Sequence, residues 1–141
     1  MAIRLKQKIY GPLHLQRENP GHFTYTTDAG YQARAGAPAS AEQAPPSDLI
    51  MAALASCIGI SLEMAAEDQN VDPGAIDIFV NGAKARDLPH RFGSFEATVH
   101  LNDIEDRDLA VRLLNQAKQI CTVSNTLNAE VIVLLGEKGE K

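Results

Sequence analysis

The sequence predicts an α+β fold in a single domain over residues 1–141, a length typical of one domain. Three observations support this class. Short alternating segments near the N-terminus predict antiparallel strands, a long apolar segment predicts a central buried helix, and the remaining residues predict a second strand–helix–strand unit.

The N-terminal strands are predicted from alternation and from turn residues. Apolar and basic residues alternate over Ala2–Tyr10, the pattern of a half-buried strand. Two shorter β-prone segments follow, Leu13–Arg17 and His22–Thr27, with an Asn-Pro-Gly turn sequence between them. Together they predict a small antiparallel meander. Asp28–Pro46 is rich in Ala, Gly and Pro, which predicts an irregular connection.

The central helix is predicted to start with Ser47 as its N-cap and to end near Asn70, before Pro73. Asp48 suits the positive end of the helix dipole. Residues 49–62 are apolar on all faces, and a helix of this kind has to be covered on every side. One chain of this size offers little cover, which favours an oligomer. The run is shorter than the roughly 20 residues of a membrane span, so we expect a soluble protein.

The second unit is predicted from two strands, an amphipathic helix and a last strand. Alternation predicts strands over Ala75–Val80 and Ser94–Asn102, and a short apolar run predicts a buried strand over Val131–Leu135. Asp106–Cys121 has the spacing of a helix with one apolar face. The predicted inward residues of the second strand and of the helix are Phe95, Ala97, Val99 and Leu101, then Leu109, Leu113, Ala117, Ile120 and Cys121.

Composition and motifs exclude several function classes. The net charge of −5 and the absence of a basic run argue against a nucleic-acid partner or an anionic membrane surface. The N-terminus has no apolar core typical of a secretory signal, so we expect a cytoplasmic protein. The four histidines lack metal-site spacing, and no phosphate-binding glycine motif occurs, so no metal or nucleotide cofactor is expected.

The two cysteines, Cys57 and Cys121, are the remaining candidates for chemistry. Each lies on an inward face of a predicted helix. Free cysteine is among the most buried residue types, so both could be core residues. Alternatively they form a redox site, which requires one thiol to ionise and the other to lie close enough to form a disulfide, with Cα atoms no more than about 7 Å apart. The pattern alone leaves both interpretations open.

Two segments carry a family resemblance: PPSDLIMAALASCIGISLEMA around Cys57 and KQICTVSNTLNAEV around Cys121. Together they resemble the OsmC/Ohr family of thiol peroxidases, and the order of predicted elements is similar over nearly the whole chain. The resemblance implies an intertwined homodimer with the cysteine-bearing helices at its centre. It also implies oxidative-stress defence, in which Cys57 attacks an organic or lipid hydroperoxide and Cys121 resolves it as a disulfide. An external dithiol such as dihydrolipoamide would be the reductant, without metal, haem or flavin.

The family also uses an arginine to stabilise the thiolate and a glutamate to hold that arginine. The resemblance assigns the arginine to Arg34, in YQARAG, with Arg17 as a weaker candidate. The glutamate position is occupied by Ser47, and the acid follows one residue later as Asp48. Thr122 stands where the family usually has proline after the second cysteine. Two hypotheses therefore remain: a cysteine-based organic hydroperoxide reductase, and a non-catalytic dimer of this fold that binds a small apolar ligand or acts as a redox-responsive module.

Overall fold

The structure is a computed structural model that describes residues 6–88 and 90–138. The chain forms two compact units, Met1–Asp48 and Leu49–Lys141. The first unit contains three strands, and the second contains nearly all of the helical residues with three further strands. The predicted α+β class is confirmed.

The first unit is an antiparallel meander of β1 (His14–Asn19), β2 (His22–Thr26) and β3 (Gln32–Gly36) in that order. The predicted first strand over Ala2–Tyr10 is not seen in its described part, residues 6–10, and residues 2–5 lie outside the described residues. Ile9 and Tyr10 are 83% and 77% exposed, so the alternation buries nothing there.

The third strand corrects the prediction of an irregular connection over Asp28–Pro46. Its sequence, QARAG, has little β-propensity. The strand forms because its backbone pairs with β2 along its whole length, with Thr24 opposite Arg34. Tertiary pairing therefore overrides local preference here.

Helix α1 (Pro46–Asp68) begins one residue before the predicted N-cap Ser47 and ends two residues before Asn70. Proline is well suited to the first position of a helix because its missing N–H has no partner there anyway. One side of α1 is buried, including Leu54, Ile58 and Leu62, whereas Ile60 is 58% and Met64 53% exposed. The single chain therefore covers only one side of the helix, which agrees with the expectation that one chain of this size offers little cover.

Among the described residues α1 is the one helix that is long and apolar enough to cross a membrane. Length and composition are the only criteria for that statement, and the core helix of a soluble protein also meets them. The buried side of α1 belongs to a hydrophobic cluster with β-strand and helix residues of the second unit, including Phe95 and Leu113. The helix is thus a structural component of the core.

The second unit contains a sheet of β4 (Asp77–Lys84), β5 (Phe92–His100) and β6 (Glu130–Leu135) in that order. β4 and β5 are antiparallel, whereas β5 and β6 are parallel. The predicted inward residues of β5 are confirmed as buried, because Phe95, Ala97 and Val99 are at most 1% exposed. His100, predicted on the polar face, is also buried.

Helix α2 (Arg107–Ile120) is capped by Asp106, whose carboxylate accepts hydrogen bonds from the next turn. Its buried residues are Ala110, Leu113, Leu114 and Ala117. Ile120, predicted to face inward, is 42% exposed, whereas Cys121, which directly follows it, is fully buried as predicted. A short helix, α3 (Thr122–Thr126), follows at once and leads into β6. Helix α3 was not predicted from the sequence, since five residues show no helical periodicity.

Truncation of Leu113 to alanine should lower the free energy of unfolding by about 2–5 kcal/mol, because the side chain is fully buried between α2 and the rest of the core. Val111 on the same helix is 44% exposed, so Val111→Ala should change stability by less than about 1 kcal/mol. Urea denaturation followed by circular dichroism measures both. Equal losses in the two variants would contradict the described packing of α2.

Candidate functional site

The two cysteines of the chain meet in the second unit. Cys57 lies in the middle of α1 and is partly buried. Cys121 is fully buried and joins two helices, as the C-cap of α2 and the N-cap of α3. The two side chains are close enough for each to affect the pKa of the other thiol, and neither cysteine is in a disulfide. A pair of residues remote in sequence is thereby brought into contact inside the core.

Four hydrogen-bond donors converge on the sulfur of Cys57. Burial by itself raises the pKa of the Cys57 thiol, but the donors outweigh burial and lower the pKa below its ordinary value of 9.0. In decreasing order of effect they are the backbone N–H of Val123, the thiol of Cys121, the backbone N–H of Thr122 and the hydroxyl of Ser61. Hydrogen bonds to the charged form favour ionisation.

The surroundings of Cys121 raise the pKa of its thiol, whereas those of Cys57 lower it. Burial raises the pKa of the Cys121 thiol, and the neighbouring Cys57 raises it further, because two adjacent thiolates repel each other. The N–H of Ser124 donates to Cys121 Sγ at 3.5 Å and offsets part of this effect. The Cys57 thiol therefore ionises before the Cys121 thiol as the pH rises.

The difference in pKa between the two thiols determines which redox chemistry the site can support. A thiolate is the reactive form of cysteine, so Cys57, whose thiol ionises first, is the candidate nucleophile of the pair. A thiol in contact with that nucleophile can form a disulfide once the first sulfur has been oxidised. The proximity of the two thiols and their unequal pKa values thus favour the redox interpretation. Ordinary core packing would require neither.

The other sequence-predicted residues belong to the first compact unit. Arg34 is exposed on β3 and lines a shallow polar hollow of about 450 Å³ with Gln16, Glu18 and Thr24 among its neighbours. Arg17 is exposed on β1, and Asp48 is exposed in the first turn of α1. Cys57 and Cys121 are brought together, whereas the roles of Arg34, Arg17 and Asp48 stay predictions.

Sequence reasoning missed three of the four donors to Cys57. Ser61 gave a possible signal, since a serine four residues after a cysteine lies on the same face of a helix. The N–H groups of Thr122 and Val123 gave none, because every residue except proline carries one.

Among residues 6–88 and 90–138, no group of three or more His, Cys, Asp or Glu side chains could hold a metal ion.

Comparison with protein families gives one match: a family described as OsmC-like protein matches residues 39–135. No curated protein matches the sequence. Among solved structures, the organic hydroperoxide resistance protein OhrB of Bacillus subtilis is 27% identical with a TM-score of 0.66, over 89% of this chain and 96% of that one.

Two further solved structures share the fold at lower identity. An OsmC-like protein of unknown function from Vibrio cholerae has a TM-score of 0.78 at 13% identity, over 89% of this chain and 97% of that one. An organic hydroperoxide resistance protein from Elizabethkingia anophelis has a TM-score of 0.72 at 18% identity, over 94% of this chain and 100% of that one. These two matches concern the fold of the chain.

Replacement of Thr122 by proline should raise the pKa of Cys57, because it removes one donor to the sulfur. The backbone accepts proline here: position 122 starts a helix, and Cys121 has extended dihedrals (φ −74°, ψ 104°), as a residue before proline prefers. At neutral pH, alkylation of Cys57 by iodoacetamide should slow severalfold, up to about tenfold for one lost hydrogen bond. Mass spectrometry of the Cys57 peptide across a pH series measures this.

Thr122→Ala is the matched control, since alanine keeps the N–H and loses only the exposed side chain. Its alkylation profile should match that of the unmodified chain. If proline and alanine at position 122 give the same profile, the Thr122 N–H does not stabilise the thiolate.

Proposed function

The chain belongs to the OsmC-like protein family, and from this membership we propose that it is a cysteine-based reductase of organic hydroperoxides. Family membership and the 27% identity to a hydroperoxide resistance protein support a role in oxidative stress. The observation that carries the finer proposal is the unequal thiol pair, in which hydrogen-bond donors lower the pKa of Cys57 while burial raises that of Cys121. A peroxidase of this kind needs a nucleophilic thiolate beside a second thiol.

The proposed reaction uses the two sulfurs in sequence. The Cys57 thiolate attacks one oxygen of the hydroperoxide, so that an S–O bond forms, the O–O bond breaks and the sulfur loses two electrons. The leaving alkoxide takes a proton from solvent and departs as an alcohol. Cys121 then gives up its proton and attacks the sulfenic sulfur of Cys57, which forms the disulfide and releases hydroxide that leaves as water. The sulfenic acid is thereby removed before irreversible oxidation.

An external dithiol completes the proposed cycle. It reduces the Cys57–Cys121 disulfide by thiol–disulfide exchange and becomes a disulfide itself. Dihydrolipoamide is the proposed chemical class, on the resemblance to the family. Two free cysteines suit a reducing compartment, so the proposed location is the cytoplasm.

A homodimer is part of the proposal. Helix α1 exposes Ile60 and Met64, both at more than half of their maximal area. Ile60 also lines a shallow groove of about 520 Å³ together with Ile76 and Ile78. Apolar groups clustered on one surface are typical of a protein–protein interface, and a second copy of the chain is the proposed cover.

Arg34 remains the proposed charged support of the thiolate, and Asp48 the proposed acid that holds it. Both assignments rest on the resemblance alone. The donors within the second unit already lower the pKa of Cys57, so the proposed contribution of Arg34 is additional to them. Removal of Arg34 would then slow the reaction without abolishing it.

Replacement of Cys57 by serine should abolish the reduction of cumene hydroperoxide by dihydrolipoamide, because serine supplies no nucleophile that ionises near neutral pH. Cys121→Ser should permit one turnover and then accumulate over-oxidised Cys57, since no thiol resolves the sulfenic acid. A coupled assay of alcohol formation and intact-protein mass spectrometry measure these outcomes.

The unmodified protein provides the control. One equivalent of hydroperoxide should remove two hydrogens and link Cys57 to Cys121. Full activity in Cys57→Ser would contradict the mechanism. An unchanged dithiol in the unmodified protein would instead favour the non-catalytic alternative, a dimer that binds a small apolar ligand.

A further inference from the structure

The two cysteines differ in how far a reagent can approach their sulfurs. Cys121 belongs to the buried hydrophobic cluster of the second unit and is 0% exposed, whereas Cys57 is partly buried and packs against that cluster. The proposed reaction requires that a hydroperoxide reach Cys57, and an opening that admits the peroxide also admits a small thiol. Cys121 offers no such surface to a reagent.

Hydrogen bonds close the corner of the chain around Cys121. Its carbonyl oxygen accepts from the N–H of Asn125 at 3.0 Å, and the side-chain amide of Asn125 donates to the carbonyl oxygen of Gln119 at 3.0 Å. The Thr126 hydroxyl donates to the carbonyl oxygen of Thr122 at 2.7 Å. These bonds hold α3 together and tie it to the end of α2. Exposure of the Cys121 sulfur therefore requires this corner to open, and opening of a core segment costs free energy.

The Cys121 sulfur has a donor that can stabilise negative charge on it. The N–H of Ser124 donates to Cys121 Sγ at 3.5 Å and caps the first turn of α3. A hydrogen bond to the charged form of a group favours that form. When thiol–disulfide exchange opens a disulfide, the sulfur that leaves carries the negative charge. The Ser124 N–H is thus placed to stabilise Cys121 as a leaving thiolate.

Leaving-group chemistry alone favours cleavage in the other direction. In thiol–disulfide exchange the sulfur of lower thiol pKa leaves faster. Hydrogen-bond donors lower the pKa of Cys57 and burial raises that of Cys121, so a reductant with equal access to both sulfurs would attack Cys121 and expel Cys57. Access decides between the two routes, because attack on Cys121 requires the corner to open first and attack on Cys57 does not.

We propose that the external dithiol attacks Cys57 of the Cys57–Cys121 disulfide and that Cys121 is the leaving sulfur, so that the covalent intermediate forms on Cys57. This inference rests on the proposed function for the disulfide itself. One thiolate of the reductant forms an S–S bond with Cys57, and the Cys57–Cys121 bond breaks. The electron pair of the broken bond stays on Cys121, which then takes a proton from solvent.

The second thiol of the reductant completes the exchange. It loses its proton and attacks the reductant's own sulfur in the mixed disulfide. The bond to Cys57 breaks, Cys57 leaves as a thiolate, and the reductant departs as a cyclic disulfide. Cys121 forms no bond to the reductant at any stage.

A monothiol tests the proposal, because it lacks the second thiol that would release it. The protein is oxidised with diamide, which takes two electrons and two protons from the thiol pair, and is then treated briefly with 2-mercaptoethanol. Acid quenching, denaturation and alkylation with N-ethylmaleimide precede peptide mass spectrometry. The mercaptoethanol adduct should be found on Cys57 and the maleimide on Cys121. The reverse pattern, or adducts shared equally by the two cysteines, would overturn the proposal.

The single-cysteine variants provide a second measurement that needs no disulfide. Cys57→Ser leaves the Cys121 thiol, which should react with an aromatic disulfide reagent roughly a hundredfold or more slowly in the native protein than in urea, because the corner has to open. Cys121→Ser leaves the Cys57 thiol, whose rates in the two conditions should differ by less than about tenfold. A Cys121 thiol that reacts as fast in the native protein as in urea would also overturn the proposal.

The choice of oxidant separates this proposal from the proposed function, because diamide oxidises thiols without hydroperoxide chemistry. A protein that is linked by diamide but not by cumene hydroperoxide, and that carries the adduct on Cys57, would support the proposal and contradict the proposed function. A thiol pair that diamide fails to link would overturn both.

Discussion

A buried sulfur can carry a negative charge only if hydrogen-bond donors replace the water it has lost. In this chain that condition is met at one cysteine of two. Two backbone N–H groups, a hydroxyl and a thiol lower the pKa of Cys57, whereas burial and the neighbouring Cys57 raise the pKa of Cys121. The proposed chemistry depends on this inequality, because a pair of equivalent protonated thiols in the same place would be ordinary core packing.

The fold of the second unit produces the inequality through the break between two helices. Helix α2 ends at Ile120 and α3 begins at Thr122, so Cys121 lies at a corner where the chain changes direction. Backbone N–H groups at the start of a helix have no partner within it. Those of Thr122 and Val123 are directed at Cys57, and that of Ser124 at Cys121. Helix α1, packed into the same core, supplies the sulfur of Cys57.

Much of the second unit could be predicted from the sequence because its elements are long and periodic. The alternation around Phe95 and Val99 identified a strand with one buried face, and the spacing around Leu113 identified α2. The first unit was harder: β3 depends on pairing with β2, and the alternation over Ala2–Tyr10 is not matched by a strand in the described residues 6–10. Local patterns identified the long periodic elements of the second unit and did not identify strands that depend on pairing with a neighbour.

The residues of the site also divide into those that could be identified from the sequence and those that could not. Cys57 and Cys121 are identifiable because cysteine is rare in the chain and both lie on apolar faces. The N–H donors are invisible in sequence, since their direction depends on how a backbone segment distant in the chain is packed. Arg34 and Asp48 were identified by resemblance and belong to the other compact unit, which leaves their roles as predictions.

The central claim is that Cys57 ionises before Cys121. A pH titration of thiolate absorbance in the ultraviolet, performed on the unmodified chain and on the two single serine variants, tests it most directly. The account predicts two separate steps, of which the one at lower pH disappears in Cys57→Ser and persists in Cys121→Ser. A low-pH step that survives in Cys57→Ser, or two thiols that ionise together at the ordinary value for cysteine, would contradict it.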